Sequence, residues 1–333
     1  MKDFKNSYLF FILIFLTLIL FLFDLSVGSV SIPISDIHAA LIGGEINETS
    51  RNIILNIRLV KALVAVLAGA ALSVSGLQMQ TLFRNPLAGP YVLGISSGAS
   101  LGVAIFLLGA PWFGISTTAF SPGIAGAAWI GSAFILVFIG IVAQRIKDIM
   151  VILILGMMFS SGVSAIVQIL QYLSHDESLK SYVIWTMGSL GDVTVSQVPV
   201  LLFGVMGGLI LAFIGVKPLN QLLLGEEYAV TMGMNIRKSR GILFLSTTLL
   251  TGTVTAFCGP IGFIGLAMPH VTRMIFDNIN HRILIPANIF TGASILLLCD
   301  IISKVWVIPI NAITSLFGIP IIIFIVLKNK AFA

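Results

Sequence analysis

The sequence predicts an all-α integral membrane protein with about ten transmembrane helices. Hydrophobic residues make up 58% of the chain and charged residues only 9%, and the mean hydropathy is +1.09. So little charge cannot cover a water-facing surface. The apolar runs are continuous, without the period-two alternation of lipid-facing strands, which excludes a membrane β-barrel. Runs near the required length of about 20 residues occur at 8–23, 59–82, 92–109, 123–143, 149–172, 194–215, 239–258, 262–276, 284–303 and 311–327.

The first apolar run follows a short charged N-terminus, so it has the profile of a signal peptide as well as that of a first span. No small-x-small cleavage site follows the run, and we therefore expect a retained helix. The signal-peptide alternative stays open on the sequence alone.

The distribution of basic residues predicts the orientation of the chain. Most of the 18 lysines and arginines lie at run ends on the side of the N-terminus. The opposite ends carry Arg51, Arg58, Lys61, Lys180 and Lys304. Because cytoplasmic loops carry the excess of Lys and Arg, both termini are predicted to be cytoplasmic. The same bias explains the pI of about 9.3, so no nucleic-acid partner is required.

The turn between the second and third runs is the most distinctive local feature. Its sequence, Arg-Asn-Pro-Leu-Ala-Gly-Pro at 84–90, ends any helix because it contains two prolines and a glycine. The small residues that follow, Gly-Ile-Ser-Ser-Gly-Ala-Ser at 94–100, allow the next helix to pack closely against its neighbours. A break of this kind in a membrane protein indicates a functional turn.

The chain is predicted to be one transmembrane domain, 1–333, that contains a weak internal repeat. When Arg58 is aligned with Arg240, glycines and a proline recur at equal spacing in two units, 58–172 and 239–327. The matched pairs are Gly69 with Gly252, Gly76 with Gly259, and Pro86 with Pro269. The units start on opposite sides, which is the pattern of an inverted repeat. Coincidence is the alternative, because Gly and Pro are common in membrane helices.

The longest predicted cytoplasmic segment, 216–239, contains a short capped helix. Glu226 and Glu227 follow Gly225 and favour a helix N-terminus, and Gly233 is placed to close the helix. A short capped element that faces the cytoplasm suggests a docking surface for a soluble partner. An ordinary connecting helix is the alternative.

Catalytic patterns are missing from the sequence. It contains no G-x-x-x-x-G-K-[ST] phosphate loop and no H-E-x-x-H or Cys-x-x-Cys metal pattern. We therefore predict no enzyme activity, no metal site and no bound cofactor. His270 is a conceivable haem-iron ligand, and a hydrogen-bonded structural histidine is the alternative that we favour.

Charges inside the predicted spans are scarce. Asp300 lies clearly within one, and Lys304 lies one helical turn further on, so the two are predicted to pair. Ion-coupled carriers keep intramembrane charges for function. Their scarcity here favours a transporter driven by a partner over an ion-coupled secondary transporter, which remains the rival class.

One helix face in the run 149–172 is small and polar. Residues of this type recur every four positions, with one more close to the same stripe. They are Gly156, Ser160, Ser164, Gln168 and Gln171. Such a face suits the wall of a translocation path for a bulky polar solute, and close helix packing is the alternative.

Five ordered motifs resemble the FecCD/BtuC-type permease subunits of type II ABC importers for iron-siderophores, haem and cobalamin. They are Arg-Leu-Val-Lys at 58–61, Asn-Pro-Leu-Ala-Gly-Pro at 85–90, Gly-Glu-Glu at 225–227, Gly-Pro-Ile-Gly-Phe-Ile-Gly-Leu at 259–266 with Pro269-His270, and Asp300. The resemblance implies import of a metal chelate, with ferric siderophore expected first and haem or cobalamin as alternatives.

The resemblance also implies an assembly. It consists of a homodimer with the path on its two-fold axis, two cytoplasmic ATPase subunits that use ATP, and a periplasmic or lipid-anchored binding protein. The implied location is the bacterial cytoplasmic (inner) membrane.

Residue roles follow from the same resemblance. A cytoplasmic gate is expected at Asn85 and Leu87, with a second constriction at Ile149 and Met150. The ATPase-coupling helix corresponds to 225–233. The positions that dock the binding protein are occupied by Arg58, Lys61 and Lys304, which are expected to form an exposed basic rim at the outer face.

Overall fold

The computed structural model describes residues 2–44, 46–109, 112, 122–146 and 148–328, and within these ranges every regular element is a helix. The α-helices are α1 (Lys2–Ser26), α2 (Ile34–Ile42), α3 (Glu48–Asn52), α4 (Leu59–Leu82), α5 (Ile95–Ala104), α6 (Pro122–Arg145), α7 (Ile149–Tyr172), α8 (Asp176–Thr186), α9 (Val198–Ile214), α10 (Val216–Leu222), α11 (Glu226–Thr231), α12 (Ile236–Cys258), α13 (Ile264–Phe276), α14 (His281–Trp306) and α15 (Ile310–Lys328). Two π-helical segments, Ile53–Arg58 and Ile105–Gly109, and a 3-10 turn at Pro90–Leu93 complete the helical elements of these ranges.

Each of the ten predicted apolar runs overlaps a described helix, although the bounds and lengths differ. Six described helices are long and apolar enough to cross a membrane, and there are seven if α9 and α10, bent by 52° at Gly215, form one span. Shorter apolar helices occupy Ile95–Gly109 and Ile310–Ile325, and α13 has 13 residues. The short helices α2, α3, α8 and α10 lie outside the ten apolar runs predicted from the sequence.

Helix α4 forms the centre of the bundle and is buried along most of its length. It packs against α9, α12, α13 and α14. Two glycines permit the closest approaches, because Gly69 lies directly on Gly292 of α14 and Gly76 directly on Gly265 of α13. A Cβ atom at either position would overlap the backbone of the partner helix. Backbone contact through glycine is a recurrent way to pack membrane helices tightly.

Helix α1 is an integral part of this bundle. Its Thr17 hydroxyl shares a 2.8 Å hydrogen bond with the Ser294 hydroxyl of α14. Near its end, the fully buried Asp24 carboxylate lies 2.6 Å from the Lys304 ammonium group. The first predicted span is therefore held to α14 by polar contacts as well as by apolar packing.

Candidate functional site

The predicted break after α4 is a compact turn with defined hydrogen bonds. Arg84 adopts φ 47°, and the amides of Arg84 and Asn85 donate to the carbonyls of Thr81 and Gln80 over 3.2 and 3.1 Å. This pattern is a Schellman C-cap, in which a left-handed residue ends the helix. The Asn85 side chain then accepts a 2.9 Å bond from the Leu87 amide. Leu87 itself is 42% exposed.

The turn is anchored to the segment that leads into α13. The Nε2–H of His270 donates to the Pro86 carbonyl over 2.7 Å, so this histidine is hydrogen-bonded, as the structural alternative proposed. The Tyr91 hydroxyl donates to the Ile261 carbonyl over 2.7 Å and accepts from the Ile261 amide over 3.1 Å. Burial raises the pKa of Tyr91 to about 12. The two hydrogen bonds hold the phenol against the segment that leads into α13.

The polar stripe of α7 divides into a packing half and an exposed half. Gly156 is buried against the Val92 carbonyl, and the Ser160 hydroxyl donates to the Gly156 carbonyl over 2.9 Å. Ser164 and Gln168 are exposed, and Gln171 is half-buried. The first half therefore seats α7 on the 3-10 turn, as the packing alternative proposed, while the second half presents polar groups at a protein surface.

The second expected constriction lies at the start of α7. The Asp148 side chain caps the helix by accepting from the Met150 amide over 2.8 Å. Met150 is 43% exposed, whereas Ile149 is 9% exposed and packs into the core. Of Ile149 and Met150, only Met150 is therefore exposed at the surface of the chain.

The predicted capped helix in 216–239 is confirmed as α11. It begins at Glu226, after Gly225 with φ 103°, and Gly233 with φ 80° follows it. The Gly233 amide donates to the Val230 carbonyl and the Met234 amide to the Ala229 carbonyl, both over 2.9 Å. These two bonds form a Schellman motif.

The two glutamates of α11 have different surroundings. Glu226 Oε1 accepts a 2.6 Å bond from Arg240 Nη2 of α12, and the Arg240 side chain is only 5% exposed. Glu227 is exposed. Arg84 of the break lies beside Gly225. Helix α11 is therefore fixed to α12 by an ion pair and also adjoins the turn after α4.

The opposite end of the bundle contains a buried cluster of four charged side chains: Asp24, Lys61, Asp300 and Lys304. The predicted pair of Asp300 and Lys304 is confirmed at 3.0 Å. Lys61 of α4 lies 3.0 Å from the other Asp300 oxygen, and Lys304 also pairs with Asp24. Both carboxylates are fully buried. The cluster joins α1, α4 and α14.

The exposed basic rim expected from Arg58, Lys61 and Lys304 does not occur in this form. Arg58 is 4% exposed, and its guanidinium group donates to the carbonyls of Leu25, Ser26 and Val30. The Lys304 side chain is 8% exposed and that of Lys61 21%. All three cations have partners within the chain, as buried charges require. Docking by these residues stays a prediction.

Two residues that form ion pairs, Asp24 and Arg240, were not predicted as such from the sequence. Asp24 lies at the edge of the first apolar run, and the acid at that point was a signal for an intramembrane partner. Arg240 was predicted as a cytoplasmic basic residue and as the counterpart of Arg58 in the repeat, and not as the partner of Glu226. In both cases the partner lies on another helix, so no local spacing indicates the pair.

The chain is similar to known transport permeases over most of its length. The chain is 37% identical over 289 residues to the hemin transport system permease protein HmuU of Yersinia pestis, which covers 85% of this chain and 86% of that protein. It is 33% identical to the vitamin B12 import system permease protein BtuC of Vibrio parahaemolyticus, with 84% of each chain covered. Among solved structures, an inward-facing transporter described as being of the metal-chelate ABC type matches with a TM-score of 0.83 and 27% identity. That match covers 97% of this chain and 99% of the other.

The family comparison spans almost the whole sequence. The model of the FecCD transport family matches residues 16–328. The match includes all five motifs on which the family resemblance was based, so that prediction is confirmed. The chain belongs to the FecCD transport family.

Proposed function

We propose that the chain is the permease subunit of an ATP-driven importer that moves a metal chelate across the bacterial cytoplasmic membrane. The observation that carries the proposal is the match along 97% of the chain to a transporter described as being of the metal-chelate ABC type. The proposed role of the permease involves no covalent chemistry. ATP hydrolysis in two partner subunits shifts its population between outward-facing and inward-facing states.

The exposed half of the α7 stripe supports a chelate as the cargo. Ser164, Gln168 and Gln171 offer neutral hydrogen-bonding groups. Bare metal ions are held by carboxylates, imidazoles or thiolates, whereas a chelate already surrounds its metal and presents an organic surface. We propose that these three residues line the path and that Gly156 and Ser160 position them.

Ferric siderophore is the cargo that we propose first, and haem is the second candidate because a hemin permease is 37% identical. Cobalamin is the third, on the strength of the vitamin B12 permeases. Competition among the three unlabelled chelates for uptake of each labelled one identifies the cargo. We expect one unlabelled chelate to inhibit labelled uptake at a concentration at least tenfold lower than either of the other two requires.

The proposed assembly is a homodimer of ten-span subunits with the path on the two-fold axis and both termini in the cytoplasm. The two units 58–172 and 239–327 form its inverted halves.

At the cytoplasmic end, Asn85, Leu87 and Met150 are proposed to form the gate, with Ile149 as support behind them. At the outer end, a substrate-binding protein docks above Arg58, Lys61 and Lys304. Of these three, Lys61 is the most accessible to a partner carboxylate.

Helix α11 is proposed to dock the ATPase, with separate tasks for its two glutamates. Glu226 orients the helix through Arg240, and the exposed Glu227 contacts the partner. Glu227→Lys is expected to weaken ATPase association about fivefold, which corresponds to about 1 kcal/mol for an exposed charge contact. The measurement is ATPase co-purification at fixed permease concentration.

The matched control for this substitution is Glu177→Lys, which makes the same change at an exposed acid in the first turn of α8. It is expected to leave the ATPase yield unchanged. An undiminished ATPase yield with Glu227→Lys would count against the docking role of α11.

A further inference from the structure

A groove at the α11 end of the bundle overlaps the segment 216–239 but is lined by residues other than the two glutamates assigned above. It encloses about 620 Å³ between the junction of α9 with α10, the flanks of α11 and the start of α14. Its polar side is formed by Lys217, Asn220, Gln221, Asn280 and Arg282. Its apolar side is formed by Phe213, Ile214, Val216, Leu224 and Met232.

The polar side has a fixed floor and two available cations. Asn220 Nδ2 donates to Asn280 Oδ1 over 2.9 Å, and the His281 amide donates to Asn220 Oδ1 over 2.9 Å. The 52° bend between α9 and α10 brings Lys217 to the same groove as Arg282. Both side chains are exposed, and neither forms an ion pair with any residue that the structure describes. Among the described residues, no carboxylate lines the groove.

The apolar side continues along α9 as a stripe that faces away from the bundle. Phe203, Met206, Ile210, Phe213 and Ile214 are between 45% and 76% exposed. They recur at the three- and four-residue spacing of one helix face. In a bilayer, an exposed apolar stripe on a transmembrane helix is covered by acyl chains or by another subunit, and this one ends in the groove.

We propose that the groove binds the headgroup of an anionic phospholipid of the inner leaflet, with its acyl chains along the α9 stripe. Lys217 and Arg282 pair with the phosphate, and Arg282 is suited to bidentate contact with phosphate oxygens. A free anion would leave the apolar side in water. A docked ATPase surface explains the cations but not the continuity of the groove with the lipid-facing stripe. Basic pockets at the cytoplasmic ends of spans are a known mode of lipid recognition.

The test is lipid retention by the full-length purified permease, counted by native mass spectrometry. Phosphatidylglycerol and phosphatidylcholine of equal chain length are the probes. Wild type is expected to retain phosphatidylglycerol in preference. Lys217→Gln with Arg282→Gln is expected to weaken that retention about 30-fold, and Lys217→Gln alone about fivefold, from about 1 kcal/mol per basic residue near an anionic leaflet.

The matched control is Arg237→Gln with Lys238→Gln, which removes the same charge from exposed positions at the start of α12. It is expected to change retention less than twofold. Equal retention of both lipids by wild type, or an equal loss in the control, would overturn the proposal. Displacement of phosphatidylglycerol by millimolar inorganic phosphate would identify a free-anion site instead. If the variant Lys217→Gln with Arg282→Gln retains lipid as wild type does but no longer co-purifies with the ATPase, the groove belongs to the ATPase interface and the lipid proposal is overturned.

Discussion

Asp300→Asn is expected to destabilise the protein by about 3–5 kcal/mol, the cost of removing one partner from a buried ion pair. Asp300 lies 3.0 Å from both Lys61 and Lys304 and is fully buried. When the Asp300 charge is removed, Asp24 alone must balance the ammonium groups of Lys61 and Lys304 in a buried site. The measurement is the thermal unfolding of detergent-purified protein, followed by the loss of its monodisperse fraction.

A double variant separates charge imbalance from simple loss of packing. Asp300→Asn with Lys61→Gln removes one acid and one base and leaves the 2.6 Å pair of Asp24 and Lys304 in place. It is expected to recover a substantial part of the stability that Asp300→Asn loses, because the site is neutral again. An Asp300→Asn protein that melts at the wild-type temperature would show that the cluster does not hold α1, α4 and α14 together.

Gly76→Ala is expected to cost about 3 kcal/mol or more, because overpacking at a rigid contact forces backbone shifts. The added Cβ atom would overlap the Gly265 carbonyl oxygen. That obstacle is backbone, so no side-chain rotation relieves it. The contact also lies beside the region in which α13 anchors the turn at Pro86, so the variant is expected to lose transport as well as stability. Both are measured on the same preparation.

Gly241→Ala of α12 is the matched control for Gly76→Ala. Gly241 has no heavy atom within 4 Å of an added Cβ and lies in a helix. Alanine is a better helix former than glycine by about 1 kcal/mol, so this variant is expected to be neutral or slightly stabilised. A Gly76→Ala protein as stable as the control would mean that α4 and α13 can separate without cost.

Much of the fold follows from local sequence signals. Continuous apolar runs locate the helices because a bilayer leaves no other way to satisfy the backbone. The boundaries of α11 follow from Glu226 and Gly233, and the pair of Asp300 and Lys304 follows from one helical turn. Each of these inferences depends on residues close together in the chain.

The missed features depend on residues far apart. Asp24 and Lys304 are 280 residues apart, so only the packing of α1 on α14 brings them together. The family resemblance assigned Arg58, Lys61 and Lys304 to docking positions by sequence alone, and sequence cannot tell a buried cation from an exposed one, which is why Arg58 was expected in the basic rim. The four-residue spacing of the α7 stripe fits both close helix packing and the wall of a path. The two roles separate only in the structure, where Gly156 is buried and Gln168 is exposed.

The central proposal is that ATP hydrolysis by a partner drives import through this permease. The most direct measurement is uptake of the labelled cargo chelate into proteoliposomes that contain the permease, its ATPase and loaded binding protein. ATP, a non-hydrolysable analogue, and imposed proton or sodium gradients are compared as energy sources. The proposal predicts uptake that requires hydrolysable ATP and that persists when ion gradients are collapsed. Uptake driven by an ion gradient without ATP would contradict it and would identify an ion-coupled secondary transporter.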